Sequence, residues 1–196
     1  MILDGKSNYI VSGLERSGTS MIMQILESVC IPIAFDTERQ SDENNPRGYY
    51  ELEGGKIINK LIDGTLLLEN YKGKFIKITA YGLKYLPPGN YKIIYTERNM
   101  EEILDSMEKM TGKKDENRQE TQNVFIKLNN IIKKLITNRD DIEVLFINYN
   151  EIISNPKQNI EKIVNFLGLS DKDLDQMVKS IDKNLYRQRR DKSCPT

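Results

Sequence analysis

The chain has 196 residues, 38% of them hydrophobic, which is enough for one well-buried core and short for two. Lysines plus arginines equal aspartates plus glutamates at 29 each, so no global field points to nucleic acid or to an anionic membrane, and any anion site has to be local. No run approaches the roughly 18 apolar residues of a membrane span, and the polar N-terminus lacks an apolar leader core, so a cytoplasmic protein is expected.

The first predicted elements are a strand at Tyr9–Ser12 and an amphipathic helix over Met21–Val29, joined by a glycine-bounded loop. The spacing Gly13-x-x-x-x-Gly18 is that of the phosphate loop G-x-x-x-x-G-K-[ST]. Ser20 fills the hydroxyl position, but Thr19 stands where the lysine belongs. A strand, a tight loop and a helix N-terminus still gather backbone N–H groups and the positive dipole end around an anion, with Arg16 as the nearby cation. The plain alternative is a strand-to-helix turn with no ligand. Cys30, at the end of the helix, reads as a small buried apolar residue; neither it nor Cys194 has metal-ligand spacing.

Asp36–Arg47 is polar and breaks periodicity, and Asn45-Pro46-Arg47-Gly48-Tyr49-Tyr50-Glu51 is a turn. Glu51 either opens the next helix, expected over Glu53–Leu67, or offers a carboxylate to a site. A second strand, Phe75–Thr79, carries Lys77, by itself a plain exposed lysine. A third, Tyr91–Thr96, leads into Glu97 and Arg98, with Asn99 as N-cap of a helix over Glu101–Met110. Arg98 would lie at the carboxyl end of a strand, where open α/β sheets place ligands, and its fork suits a phosphate monoester. The competing role is an ion pair with Glu101 or Glu102.

Thr111–Thr121 is a solvated loop or a mobile acceptor lid. In the helix predicted over Thr121–Asn138, Val124, Phe125, Leu128, Ile132, Leu135 and Ile136 recur at helical spacing and are expected in the core. A strand at Val144–Asn148 and a helix at Lys157–Leu167 complete the pattern, and a basic cluster, Arg187, Arg189 and Arg190, ends it. The β runs close with Thr96-Glu97-Arg98 and Asn148-Tyr149-Asn150, without the Asp that holds magnesium in P-loop NTPases, so ATP or GTP hydrolysis is disfavoured. Strands alternating with helices imply an α/β fold, a parallel sheet covered on both faces.

Four blocks in order resemble the sulfotransferase superfamily in its bacterial form. They are Gly13-Leu-Glu-Arg-Ser-Gly-Thr-Ser20 with the following Met-Ile-Met-Gln-Ile-Leu; Asn45-Pro46-x-Gly48-aromatic-x-Glu51; Tyr91 to Met107; and Val144 to Leu169 with its Phe166-Leu167-Gly168. The resemblance covers most of the chain and implies a single 1–196 domain, a three-layer P-loop NTPase-like sandwich. It also implies use of 3′-phosphoadenosine 5′-phosphosulfate (PAPS), leaving 3′-phosphoadenosine 5′-phosphate (PAP), with no metal required. On it, Arg16, Ser17, Gly18, Thr19 and Ser20 are the 5′-phosphosulfate loop, Arg98 and Ser106 the 3′-phosphate residues, Lys77 the strand-end lysine, and Arg187 and Arg189 part of a late basic loop. Arginine replaces the more usual loop lysine, Asn99-Met100 replaces Asp-Pro, and Thr79 stands where a proline is common.

The chain has no histidine, so the histidine base of many members is missing, and either a carboxylate serves or the acceptor is nucleophilic enough to need little help. Glu51 is the first choice, with Asp36 and Glu38 in reserve. The implied reaction moves a sulfuryl group to a hydroxyl or amine of a small-molecule or glycan acceptor that no motif identifies. The alternatives are a P-loop small-molecule kinase, which would need magnesium and ATP, and a non-catalytic nucleotide-binding protein on the same fold.

Overall fold

The computed structural model describes residues 3–43 and 45–186. Four strands, β1 (Asn8–Gly13), β2 (Phe75–Lys77), β3 (Tyr91–Glu97) and β4 (Ile142–Asn148), form one sheet in the order β2-β1-β3-β4, and every pair is parallel. All six residues of β1 are buried, as expected of a strand covered on both faces. Tyr9 and Val11 face one apolar core, and Ile10 faces the other.

Seven helices flank the sheet among the described residues: α1 (Thr19–Glu27), α2 (Ile57–Ile62), α3 (Met100–Thr111), α4 (Arg118–Thr137), α5 (Tyr149–Ser154), α6 (Pro156–Leu167) and α7 (Asp171–Ser180). The first core packs Ile22 and Leu26 of α1, Ile160 and Ile163 of α6 and Met177 of α7 against Phe75 and Ile94. The second packs Ile57 and Leu61 of α2, Ile103 of α3, and Ile132 and Ile136 of α4 against Ile76, Ile93 and Tyr95. Each such fully buried side chain contributes about 2 kcal/mol of transfer free energy. The result is a three-layer α/β sandwich. After β1 the chain runs to β2 on one side and then to β3 on the other, so a crevice opens at the carboxyl ends of β1 and β3.

Local chemistry explains the boundaries. Asn99 caps α3 by accepting from the Glu102 amide at 3.2 Å, as its position predicted. Ser170 and Asp173 form a reciprocal capping box that starts α7, an element the periodicity reading passed over although Ser-x-x-Asp is legible in the sequence. The helix expected over Glu53–Leu67 is broken into a 3-10 turn at Glu53–Gly55, the short α2 and a second 3-10 turn at Leu68–Tyr71. Gly54, at φ 58°, and Gly64, at φ 71°, interrupt it in the left-handed region.

Three further expectations are corrected. Cys30 is exposed, because α1 ends at Glu27 and the chain turns back at Cys30 with φ 58°, which puts Ile31 into the core instead. Val124 is 57% exposed, since α4 presents Ile132 and Ile136 to the core and turns Val124 to its outer flank. The polar stretch expected up to Thr121 is already helical from Arg118, whose guanidinium bridges Glu101, Asp105 and Glu108 at 2.7, 2.7 and 3.1 Å. Among the described residues no helix is long and apolar enough to cross a membrane.

Candidate functional site

The loop between β1 and α1 is clamped onto β3. Ser17 Oγ lies 2.7 Å from Thr96 Oγ1, which in turn donates to the Ser12 carbonyl at 3.1 Å. A Cβ at Gly13 would meet both hydroxyls within 2.5 Å, so only glycine lets the loop close here. Gly18 begins α1 at φ 103°, and a Cβ there would come 2.3 Å from the Tyr149 ring. No side chain caps this end of α1. The first-turn amides of Thr19 and Ser20 therefore lack intrahelical partners by helix geometry, and both residues line a cleft of about 240 Å³. This is a donor set that fits a phosphate or sulfate oxygen.

Ser17 departs from its expected place. Its hydroxyl is turned inward to Thr96 and its amide donates to the Leu14 carbonyl at 3.1 Å, so closing the tight turn consumes both groups. Arg16, at φ 64°, lines the cleft; its Nε donates to Ser106 Oγ at 2.9 Å, which joins the loop to α3. Ser106 itself is buried behind Arg16. Burial holds the Arg16 guanidinium below its ordinary pKa, and the like charges of Arg98 and Arg39 push it the same way.

Arg98 follows β3 and also lines the cleft. Its Nη1 donates to the Arg16 carbonyl at 3.2 Å and its Nε to Glu102 Oε2 at 3.0 Å, while its guanidinium carbon lies 4.5 Å from the centroid of the Tyr149 ring. The expected ion pair with Glu102 thus exists, but inside the protein and at the cleft wall. Glu102 also accepts from Asn150 Nδ2 at 2.9 Å and from the Tyr186 hydroxyl at 2.5 Å.

Lys77 is buried at the end of β2, not an exposed lysine; it donates to the Tyr49 carbonyl and lies 3.5 Å from Glu51 Oε1. Burial pushes its amine down to about 8, against the opposing pull of Glu51. Glu51 does not open a helix, since α2 starts at Ile57; its carboxylate turns to Lys77 and to Arg39, whose Nη1 is 2.8 Å from Oε1. Arg16, Gly18, Thr19, Ser20, Glu51, Lys77 and Arg98 are thereby brought to one cleft. Asp36 is used structurally, accepting from the amides of Glu38 at 3.0 Å and Gly54 at 2.9 Å, and neither it nor Glu38 lines the cleft. Arg187 and Arg189 lie outside the described residues.

Arg39 and Tyr49 are cleft residues that were not singled out from sequence. Arg39 lies over the Tyr49 ring, 3.5 Å from its centroid, and Tyr49 donates its hydroxyl to both oxygens of Asp42 at 2.8 Å. Tyr49 stood in a recognised turn, so its aromatic position was legible; Arg39 carried no signal, because nothing in an irregular polar stretch marks one arginine. Among the described residues no group of three or more metal-ligating side chains is placed to hold a metal ion.

A family model described as a sulfotransferase domain matches residues 6–194. No curated protein sequence matches the chain. Among solved structures, mouse sulfotransferase SULT7A1 complexed with PAP is 17% identical with a TM-score of 0.55, over 89% of this chain and 63% of that one. Sulfotransferase STF1 from Mycobacterium tuberculosis H37Rv is 14% identical with a TM-score of 0.58, over 89% of this chain and 71% of that one. The sulfotransferase domain of the Synechococcus PCC 7002 olefin synthase is 14% identical with a TM-score of 0.53, over 95% and 85%. These likenesses are of fold, and the chain spans less than two thirds of the mouse protein's length.

Proposed function

The chain belongs to the sulfotransferase domain family, and from that premise we propose that it moves a sulfuryl group from PAPS to a hydroxyl or amine of a small-molecule or glycan acceptor. The observation that carries the reading is the convergence of Arg16, Lys77 and Arg98 with the open amides of Thr19 and Ser20 on one cleft at the carboxyl ends of β1 and β3.

Each group then has a task. The amides at the start of α1 bind the 5′-phosphosulfate, and the Arg98 guanidinium, held at the cleft wall, binds the 3′-phosphate. As the acceptor oxygen or nitrogen bonds to sulfur, the bond from sulfur to the bridging oxygen breaks, and negative charge collects on that oxygen. Arg16 and protonated Lys77 stabilise it electrostatically. Arginine stays protonated throughout, whereas Lys77, with an amine near 8, is able to lend a proton. Glu51 takes the acceptor's proton, in a chain without histidine.

The test is calorimetric titration with PAP beside ADP and ATP, with and without magnesium. Tight, magnesium-independent binding that requires the 3′-phosphate is expected. Preference for ATP with magnesium would transfer the site to a kinase, and no binding would remove the nucleotide from it.

A further inference from the structure

Arg98 lines the cleft, but part of what aims it lies outside the cleft lining, on Glu102 and Tyr186. Two anchors set the plane of the guanidinium, the Arg16 carbonyl on Nη1 and Glu102 on Nε, so a Glu102 that turned would swing the fork about the other anchor. Glu102 is buried and divides its oxygens. Oε2 accepts from Arg98 Nε at 3.0 Å and from Asn150 Nδ2 at 2.9 Å, whereas Oε1 accepts from the Tyr186 hydroxyl at 2.5 Å. The last torsion of a glutamate is broad, so bonds to one oxygen hold the carboxylate plane less firmly than bonds to both. Tyr186 is itself oriented, because its oxygen accepts from Asn150 Nδ2 at 2.9 Å while Asn150 Oδ1 accepts from the Asn99 amide at 3.0 Å. Burial, and after it the Glu102 carboxylate, push the phenol above its ordinary pKa, so it remains a donor near neutral pH.

Tyr186 reaches this place on a strap that follows α7. Arg47 ties the start of the strap, donating Nη1 to the Ser180 carbonyl at 3.3 Å and Nη2 to Asp182 Oδ2 at 3.1 Å. Asp182 in turn accepts from the Asn184 amide at 3.0 Å and caps a 3-10 turn over Lys183–Leu185. Asp182 and Leu185 line the cleft, and the next ring, Tyr186, stands edge-on to Tyr149 with centroids 5.6 Å apart. The Arg98 guanidinium carbon lies 4.5 Å from the Tyr149 centroid and 5.7 Å from that of Tyr186.

We propose that Tyr186 is a positioning residue for the 3′-phosphate: its hydroxyl, acting through Glu102, aims the Arg98 guanidinium and so lets the cleft distinguish PAPS and PAP from nucleotides without that phosphate. This rests on the assignment of Arg98 to the 3′-phosphate made above. The 5′-group falls to the amides at the start of α1, so loss of the hydroxyl bears on the 3′-phosphate alone.

The test titrates the full chain calorimetrically with PAP and with adenosine 5′-phosphate (AMP), which differs from PAP only in lacking the 3′-phosphate. Tyr186→Phe keeps the ring and removes the hydroxyl. It should weaken PAP about tenfold and leave AMP within about twofold, the scale of one charge-assisted hydrogen bond. In an Arg98→Lys background, which has no guanidinium to aim, the same substitution should change PAP by less than about twofold. Unchanged PAP affinity in Tyr186→Phe, equal losses for PAP and AMP, or the full loss again in the lysine background would overturn the positioning role alone. A wild-type chain that binds AMP as tightly as PAP would take the 3′-phosphate away from Arg98 and the positioning with it, and one that binds neither would overturn the proposed function as well. Retained AMP affinity also shows that Tyr186→Phe has folded.

Discussion

Arg98 and Glu102 meet one helical turn apart at the start of α3, Nε to Oε2 at 3.0 Å, with side chains only 8% and 1% exposed. The pair orients the arginine rather than merely neutralising it: Glu102 holds Nε, Nη1 reaches the Arg16 carbonyl, and Tyr149 backs the plane. Removing one partner leaves a buried charge. Glu102→Ala should therefore cost about 3 kcal/mol in urea unfolding. Arg98→Ala should weaken PAP far more than adenosine 5′-phosphosulfate; equal losses would remove Arg98 from the 3′-phosphate.

Lys77 links stability to pH. The unfolded chain keeps this proton up to the ordinary 10.5, whereas the folded chain releases it near 8, so between those values the unfolded state binds more protons and stability rises with pH. The charged amine costs the folded state on the order of 3 kcal/mol below pH 8. Lys77→Met should flatten the rise in unfolding midpoint between about pH 7.5 and 9.5. Higher pH is avoided because tyrosines such as Tyr91, raised by burial to about 12, act in the opposite direction once unfolded tyrosines ionise.

The same proton governs turnover if Lys77 assists the leaving oxygen. Rate should fall as pH rises through about 8, and in Lys77→Arg, which stays charged, that alkaline fall should disappear. An unaltered alkaline limb in the arginine variant would assign the fall to another group.

Glu51→Gln should lower turnover by about a hundredfold or more, the usual scale for losing a general base, with PAP affinity preserved. Turnover at the wild-type rate would end its candidacy as the base.

Gly18 is a backbone requirement. At φ 103° and with a Cβ position 2.3 Å from the Tyr149 ring, Gly18→Ala combines strain with overpacking. A loss of about 2 kcal/mol in stability, together with lost PAP binding, is expected. Wild-type affinity would show that the first turn of α1 is not the anion cradle.

What the sequence determined by itself is local. The β1 strand, the glycine-bounded loop and α1 follow from residues within a dozen positions, as do the Asn99 cap and the place of Arg98 after β3, because periodicity, caps and turns are short-range effects. Where local order gave out, so did legibility: Cys30 and Val124 look apolar in sequence, yet their exposure depends on where α1 stops and which face of α4 the sheet takes. The site's electrostatics belong wholly to tertiary structure. Glu51 meets Arg39 from 12 residues away and Lys77 from 26, while Glu102 meets Asn150 from 48 and Tyr186 from 84. Charges separated by that much chain have no spacing rule, and only the closing of the sheet and its loops sets the distances on which their interaction depends.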